Sequence, residues 1–253
     1  MIKLFANFLA YVLKLKLFLG RFNIGYTRTD LVLDIGSGDN PHPRADILLD
    51  LKLEDTDRIF TLLVDERPFL IADIEALPLK DKIVDFAICS HILEHINKPQ
   101  KALQEICRIA KAGYIETPSE TMQKICDVPA HKWFIKKDDN KLILERKKRP
   151  FYDADLALTV FKLWNDNDPY YKIWFYAFGG FLVRHYWKDN IDYEIFDFPE
   201  SEICKEEFRQ ALRHEVKHPP QAYNVGRYIK KAIKCYYALT TLRRYRLKKV
   251  FHG

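Results

Sequence analysis

The chain has 253 residues, of which 48% are hydrophobic and 30% are charged, so it can bury a sizeable core and is not a disordered segment. Its formal net charge of +6 is unevenly distributed. No acidic residue follows Glu215, whereas ten lysines and arginines do, and residues 1–215 hold 31 basic against 35 acidic residues, a net charge of −4. This distribution disfavours nucleic-acid binding by the body of the protein, but it leaves a basic tail suited to an anionic surface.

The five cysteines contain no C-x-x-C pair, and their number is odd. This pattern is neither a disulfide framework nor a cysteine zinc site, and it favours a reducing compartment. We therefore expect a cytoplasmic protein, with peripheral association to a membrane left open.

Residues 1–23 are strongly apolar, but Asn7, Lys14 and Lys16 interrupt the run. This makes the segment a poor membrane span, and no small-residue cleavage site marks it as a signal peptide. An amphipathic helix is predicted instead, lying either on a membrane or against the rest of the protein.

Five short apolar runs follow, interrupted by turns and by one helical pattern. The helical pattern covers Lys98–Lys111, with Gly113 just beyond its end. The five short, continuous apolar runs are typical of strands that are buried on both faces of a parallel sheet. The pattern predicts an α/β fold, a Rossmann-like, doubly wound and mostly parallel sheet. The predicted strands are residues 31–35, 46–50, 68–73, 83–90 and 113–118.

The second half of the chain is less regular. Two short strands, 133–135 and 142–144, flank a turn at Asp138–Asn140 and predict a hairpin. The aromatic-rich stretch that follows is expected to form a cap, with a helix at about 153–165 and a strand near Tyr193–Phe196. The predicted division is an N-terminal amphipathic segment (1–23), a Rossmann-like domain (24–150), a cap (151–215) and a basic amphipathic C-terminal helix (216–253).

Acidic residues end the first three predicted strands in succession: Asp34, Asp50 and Asp73. In a parallel sheet these ends share one edge, where ligands bind. Gly36 and Gly38 follow the first strand, and without Cβ atoms they let the backbone turn sharply beside a ligand. An acid at the end of the second strand is placed to accept hydrogen bonds from ribose hydroxyls. A nucleoside site is predicted at this edge.

The segments VLDIGSGDNP, ILLDL, IADIEALPL and DFAICSHILEHI, followed by a helix and GYIETP, resemble a class I S-adenosylmethionine-dependent methyltransferase of the ubiquinone/menaquinone branch. The resemblance covers about residues 30–118 and implies S-adenosylmethionine as cofactor. It implies that Asp34, Gly36 and Gly38 border the methionine part, Asp50 holds the ribose, Asp73 and Ile74 contact the adenine, and Ser90 and His91 lie beside the sulfonium.

The sequence departs from this family between the glycine loop and the second strand. Only Asp39–Ala45 intervene, with prolines at 41 and 43, which is too short for an ordinary helix. Loop amides, Asn40 or Arg44 are therefore expected to take over contacts with the cofactor carboxylate.

The acceptor is expected to be a small molecule, methylated on an oxygen of a saccharide, a lipid-linked glycan or a lipid-soluble ring. Methyl transfer to oxygen benefits from a base, for which His91 is the first candidate, followed by His131 and then Glu116. The alternative for His91 is a structural histidine that is satisfied by a backbone carbonyl. Glu116 is expected to line the acceptor side. Trp133 either stacks on the acceptor or packs in the core.

Several alternative functions compete with this interpretation. A dinucleotide dehydrogenase is disfavoured because Pro41 occupies the third glycine position of G-x-G-x-x-G. Residues 91–95 match the H-x-x-E-H zinc motif, but a predicted strand directly precedes His91, so no metal is expected. Two alternatives stay open: an RNA methyltransferase that uses the basic tail, and a non-catalytic binding module of the same fold.

Overall fold

A computed structural model describes residues 2–20, 24–53, 62–125, 127–151, 153, 156, 159, 169–177, 181–207 and 209–210. The predicted C-terminal helix and most of the predicted helix at 153–165 lie outside these residues. The described chain forms two compact units. Among the described residues, one unit comprises 25–116 and 184–192, and the other comprises 2–24, 117–183 and 193–210.

A six-stranded sheet with the order β3-β2-β1-β4-β5-β8 forms the centre of the fold. The neighbouring pairs among β1 to β5 are all parallel. Residues of β1 and β2 are buried throughout, as expected for strands covered on both faces. The predicted α/β fold with a mostly parallel, Rossmann-like sheet is confirmed. The strands are β1 (Val32–Ile35), β2 (Ile47–Asp50), β3 (Phe69–Ile71), β4 (Val84–Ser90), β5 (Ala110–Pro118) and β8 (Leu182–Lys188).

The register of the parallel strands gives four polar residues the same orientation. Asp34 pairs with Leu48 and with Ile88, and Ser90 pairs with Glu116. Because side chains alternate along a strand, positions two residues apart share a face. Asp34, Asp50, Ser90 and Glu116 therefore share one face at the carboxyl ends of their strands.

Helix α2 (Pro99–Ile109) passes directly into β5, with Ala110 already in an extended conformation. The prediction that Gly113 follows the helix end was wrong, since Gly113 lies inside β5. A Cβ atom there would come within 2.5 Å of the Ala87 carbonyl oxygen and 2.8 Å of the Trp187 ring. Close packing, rather than helix termination, therefore requires this glycine.

Strand β8 was not expected from the sequence, which assigned this stretch to the cap. Its buried His185 and Trp187 alternate with the exposed Tyr186 and Lys188. Just after β8, the Asp189 N–H donates to the Lys111 carbonyl near the start of β5, so the two strands run antiparallel. The aromatic-rich region thus contributes an edge strand to the central sheet.

The other unit holds a second, three-stranded sheet with the order β6-β7-β9. The predicted hairpin is confirmed, because β6 and β7 pair antiparallel around a turn that includes Asp139 at φ +48°. The predicted strand at residues 193–196 is also confirmed, as β9 pairs parallel with β7. The remaining elements are α1 (Ile2–Gly20), α3 (Glu120–Ile125), β6 (Trp133–Asp138), β7 (Lys141–Arg146), α4 (Pro169–Ala177), β9 (Tyr193–Phe196) and a 3-10 turn (Glu200–Glu202). None of the described helices is both long and apolar enough to cross a membrane.

Candidate functional site

The loop after β1 turns sharply at two glycines with positive φ, Gly36 at +69° and Gly38 at +52°. The N–H groups of Gly36 and Ser37 donate to the Leu49 carbonyl, which holds the loop beside β2. A Cβ atom at Gly36 would collide with the side chain of Ile92, whereas one at Gly38 would meet nothing nearer than 3.9 Å. Gly36 is therefore required by packing, and Gly38 borders open space suited to a ligand.

The acids at the ends of β1 and β2 anchor this loop. Asp50 accepts the Gly38 N–H at 3.0 Å through Oδ2 and the Leu51 N–H at 2.8 Å through Oδ1. Asp34 is buried and accepts the His42 N–H at 2.6 Å. Each carboxylate oxygen can accept more than one hydrogen bond, so these loop contacts do not by themselves exclude a contact with a ligand.

The short segment between the loop and β2 forms turns, in agreement with the prediction that no helix fits there. The expectation that Arg44 contacts a cofactor carboxylate was wrong. Arg44 is fully buried, pairs with Asp46 at 2.8 Å and donates to the backbone carbonyls of Thr27, Arg28 and Asp30. Its guanidinium fastens the chain before β1. Asn40 is exposed, and its backbone N–H donates to the Ser37 carbonyl and closes a turn.

Asp73 lies two residues beyond β3 and is exposed, and Ile74 beside it is buried. The Asp73 carboxylate accepts the Glu75 N–H at 2.8 Å, which fixes a tight turn. In the same segment, the Ala72 N–H donates to the Asp50 carbonyl at 3.0 Å, which links it to the end of β2. Asp34, Asp50 and Asp73 thus lie along the same edge of the sheet, as the parallel pattern predicted.

His91 follows β4 directly and adopts φ +57°, an unusual conformation for a residue other than glycine. Its N–H donates to the Glu116 carbonyl at 2.8 Å, which fixes the backbone. The side chain is 43% exposed, with Nδ1 3.4 Å from Oε1 of Glu94 and Nε2 3.7 Å from Oε1 of Glu116. A half-exposed imidazole therefore lies between two fully buried carboxylates.

The resemblance implies that Glu94 faces either the cofactor or solvent; the solvent alternative is wrong, because Glu94 is fully buried. Both of its carboxylate oxygens are buried, and neither accepts a hydrogen bond from the described residues. Buried carboxylates normally have partners, so such a group marks a candidate site. Glu94 also affects the neighbouring thiol of Cys89. Burial raises the pKa of this thiol, and the negative charges of Glu94 and Asp34 raise that pKa further. Cys89 consequently stays a thiol and is not a nucleophile.

Glu116, expected to line the acceptor side, is fully buried at the end of β5, where its carboxylate lies beside His91. Its Oε2 accepts the Tyr114 hydroxyl at 2.5 Å and the Arg184 Nε–H at 3.1 Å. Burial raises the pKa of Tyr114, and the Glu116 charge raises that pKa further, which keeps the phenol protonated as a donor. Tyr114 and Arg184 hold the carboxylate in place while Oε1 faces His91.

His131 and Trp133 belong to the other unit. Trp133 begins β6, is fully buried and lies under the guanidinium of Arg146, 4.9 Å from the ring centroid. This arrangement favours the core-packing alternative for Trp133. His131 is buried in a turn, where its N–H donates to the Val128 carbonyl.

The H-x-x-E-H motif does not lie on a helix. Ser90 ends β4, His91 is left-handed, and residues 93–95 form a turn. The helical spacing on which that zinc signature depends is therefore missing.

S-adenosylmethionine fits this edge on two observations. The Ser37 hydroxyl, within the glycine loop, is buried and makes no hydrogen bond with the described residues, as expected of a group that binds a ligand. The backbone at Gly38 borders open space beside the Asp50 carboxylate. Ser37 was missed by sequence reasoning, since a serine between two glycines is ordinary turn chemistry.

Comparison with known proteins finds a family match over part of the chain. Residues 49–115, which run from β2 to β5, match the protein family described as "Methyltransferase domain". The resemblance to class I S-adenosylmethionine-dependent methyltransferases is thereby confirmed, together with the cofactor that this class uses.

The individual relatives cover only part of the chain. A demethylmenaquinone methyltransferase of Renibacterium salmoninarum is 34% identical over 97 residues, which cover 36% of this chain and 40% of that protein. The chain thus spans less than half the length of this curated relative. A putative methyltransferase from Anabaena variabilis is 18% identical over 42% of this chain and 46% of its own, with a TM-score of 0.35. A chain of the complex between a Haloferax volcanii methyltransferase and its Trm112 activator is 14% identical over 69% and 88%, with a TM-score of 0.41.

Proposed function

We propose that the protein transfers a methyl group from S-adenosylmethionine to an oxygen of a small-molecule acceptor, with His91 as the general base. The observation that carries this proposal is the half-exposed imidazole between the buried carboxylates of Glu94 and Glu116. The acceptor class is a saccharide, a lipid-linked glycan or a lipid-soluble ring.

The cofactor-binding residues follow from the edge of the sheet. Asp50 accepts the ribose hydroxyls, and Asp73 with the Ile74 backbone contacts the adenine. Asp34, Gly36, Ser37 and Gly38 border the methionine part, and Ser90 lies near the sulfonium. The bound cofactor supplies an activated methyl group with its own leaving group, so the protein mainly aligns the acceptor and excludes water. Alignment of this kind contributes up to about 7–11 kcal/mol to barrier lowering.

His91 supplies the proton acceptor. The Glu94 carboxylate, whose Oε1 lies 3.4 Å from Nδ1, favours the tautomer with the proton on Nδ1, and Nε2 is then the nitrogen that takes the proton of the acceptor hydroxyl. His91 would take the proton of the acceptor hydroxyl at Nε2, while bound S-adenosylmethionine would supply the methyl group and keep the C–S electron pair on its sulfur as the leaving group. The resulting imidazolium faces Glu94 on one side and Glu116 on the other, so both carboxylates stabilise the product of proton transfer.

The decisive experiment identifies the acceptor class, and its labelled fraction is then the substrate for a test of the base. The full chain is incubated with methyl-labelled S-adenosylmethionine and a cell extract fractionated into lipid, glycan and RNA. Label in the lipid or glycan fraction supports the proposal. Label in RNA favours the alternative that uses the basic tail, and cofactor binding without any labelled fraction favours a non-catalytic module.

With the labelled fraction as substrate, His91→Ala is expected to lower kcat by roughly 10²–10⁴ while cofactor affinity is unchanged. Asp192→Ala is the matched control, because this exposed residue follows β8 at the opposite edge of the sheet. Full activity of His91→Ala would leave it a structural histidine and contradict its role as base.

A further inference from the structure

The N-terminal helix α1 carries large apolar side chains on the side that faces away from the protein. Six of the described ones are between 40% and 76% exposed, and five of these lie close together on the helical wheel: Leu4 (76%), Phe5 (66%), Phe8 (63%), Tyr11 (65%) and Val12 (40%). Ile2 at the helix start is 76% exposed. Exposed apolar surface on this scale marks an interaction site rather than ordinary surface composition.

The opposite side of α1 is occupied. Ala6 and Ala10 are buried, and α1 packs against α4 within the same unit. At 100° per residue, these alanines point about 180° away from Leu4, Phe8 and Val12 taken together. The small side chains allow close packing on the protein, and the exposed side chains of Leu4, Phe8 and Val12 lie on the opposite, outer face.

The charge of the helix indicates which kind of partner binds this apolar face. Residues 2–20 contain no acidic residue, and they include Lys3, Lys14 and Lys16. Lys3 and Asn7 are exposed on the side of the helix between Tyr11 and the buried Ala10, with Asn7 next to the apolar face. Aromatic and aliphatic side chains next to lysines are the composition of helices that lie in the interface of an anionic bilayer.

We propose that α1 docks the protein on an anionic lipid bilayer through the outer face formed by Leu4, Phe5, Phe8, Tyr11 and Val12. Because its inner face stays packed on α4, the helix lies parallel to the bilayer surface. Lys3 adds attraction to anionic headgroups, and the basic residues after Glu215 have the charge to do the same. The proposal does not depend on the methyltransferase activity.

Vesicle flotation of the full chain tests the proposal, with phosphatidylcholine vesicles that do or do not contain about one quarter phosphatidylglycerol. Wild type is expected to float with the anionic vesicles, and more weakly with neutral ones or at high salt. Phe5→Ser/Phe8→Ser is expected to bind the anionic vesicles at least tenfold more weakly. The matched control Leu156→Ser/Phe196→Ser, which changes two exposed apolar residues elsewhere in the same unit, is expected to bind like wild type.

Lys3→Glu provides a second test that leaves the apolar face intact, and it should weaken binding to the anionic vesicles only. Circular dichroism and cofactor titration check that each variant is folded. Wild type that binds neither vesicle, or a Phe5→Ser/Phe8→Ser variant that binds like wild type, would overturn the proposal. A concentration-dependent dimer that this variant dissociates would also overturn it, since a second copy would then cover the face.

Discussion

The backbone N–H of Gly38 donates to Oδ2 of Asp50 at 3.0 Å, so the glycine loop after β1 is held by the acid that ends β2. One carboxylate therefore has two tasks in the proposed site: it positions the loop and accepts the ribose hydroxyls. This coupling makes Asp50 the most informative single residue of the cofactor-binding edge.

Replacing Asp50 should separate these tasks. Asp50→Ala removes both the loop contact and the ribose contact and is expected to weaken S-adenosylmethionine binding tenfold or more, since a charged hydrogen bond contributes about 1.5–3 kcal/mol. Asp50→Asn keeps an oxygen that accepts the Gly38 N–H, so its loss should be smaller. Calorimetric titration measures both affinities, and unchanged affinity in Asp50→Ala would refute the ribose assignment.

The two glycines of the loop should respond differently to substitution. Gly36→Ala places a Cβ against Ile92, in addition to the cost of about 1–2 kcal/mol for a left-handed alanine. Gly38→Ala has the backbone cost but no clash, so it is the matched control. Urea unfolding should show a larger loss of stability for Gly36→Ala, and Gly36→Ala/Ile92→Ala should recover part of that loss. Equal losses for the two glycine variants would contradict the packing argument.

Stability should depend on pH through Glu105. Its carboxylate accepts two hydrogen bonds from Arg108 and one from the Leu77 N–H. The Arg108 hydrogen bond is the main cause that lowers the pKa of Glu105, so the folded state binds this proton less readily than the unfolded state. The resulting stabilisation is fully present above the unfolded pKa, about 4.3, and is lost as the pH falls through the lower folded pKa.

Thermal unfolding at neutral and acidic pH measures this dependence. Glu105→Gln is expected to be less stable than wild type at neutral pH and to lose less stability on acidification. Glu194→Gln, at an exposed pair with Lys141, should follow the wild-type profile. An unchanged acid-dependent loss in Glu105→Gln would rule out this source.

A buried ion pair stabilises the other unit. Lys147 and Asp127 are both fully buried and 2.5 Å apart, and Asp127 also accepts the Phe151 N–H. Lys147→Met leaves an uncompensated buried carboxylate and should cost about 3–5 kcal/mol of unfolding free energy. Asp127→Asn/Lys147→Met removes both charges and keeps an acceptor for Phe151, so it should cost less than Lys147→Met alone. A double variant at least as destabilised as the single one would contradict this interpretation.

Most of the central sheet could be predicted because its strands are short, apolar and buried on both faces, and because acids mark their carboxyl ends. The placing of Asp34, Asp50 and Asp73 at one edge followed from parallel pairing alone. These features are local in sequence and depend on few tertiary contacts.

The residues that were misjudged depend on contacts between distant parts of the chain. Arg44 could not be recognised as structural, since the carbonyls it binds at residues 27–30 approach it only after folding. In the sequence Gly113 resembles a glycine that ends a helix, and only the folded structure shows that the Trp187 ring packs against it. Glu94 had no sequence signal beyond a weak zinc motif, because its importance arises from burial beside His91.

Titration calorimetry of the full chain with S-adenosylmethionine, alongside NAD, tests most directly whether the carboxyl edge of the sheet binds an adenosine-bearing methyl donor. We predict saturable binding of S-adenosylmethionine, one molecule per chain, weakened at least tenfold in Asp50→Ala but not in Asp192→Ala, and no comparable binding of NAD. A folded wild-type chain that binds NAD in preference, or that binds S-adenosylmethionine equally well without Asp50, would contradict it.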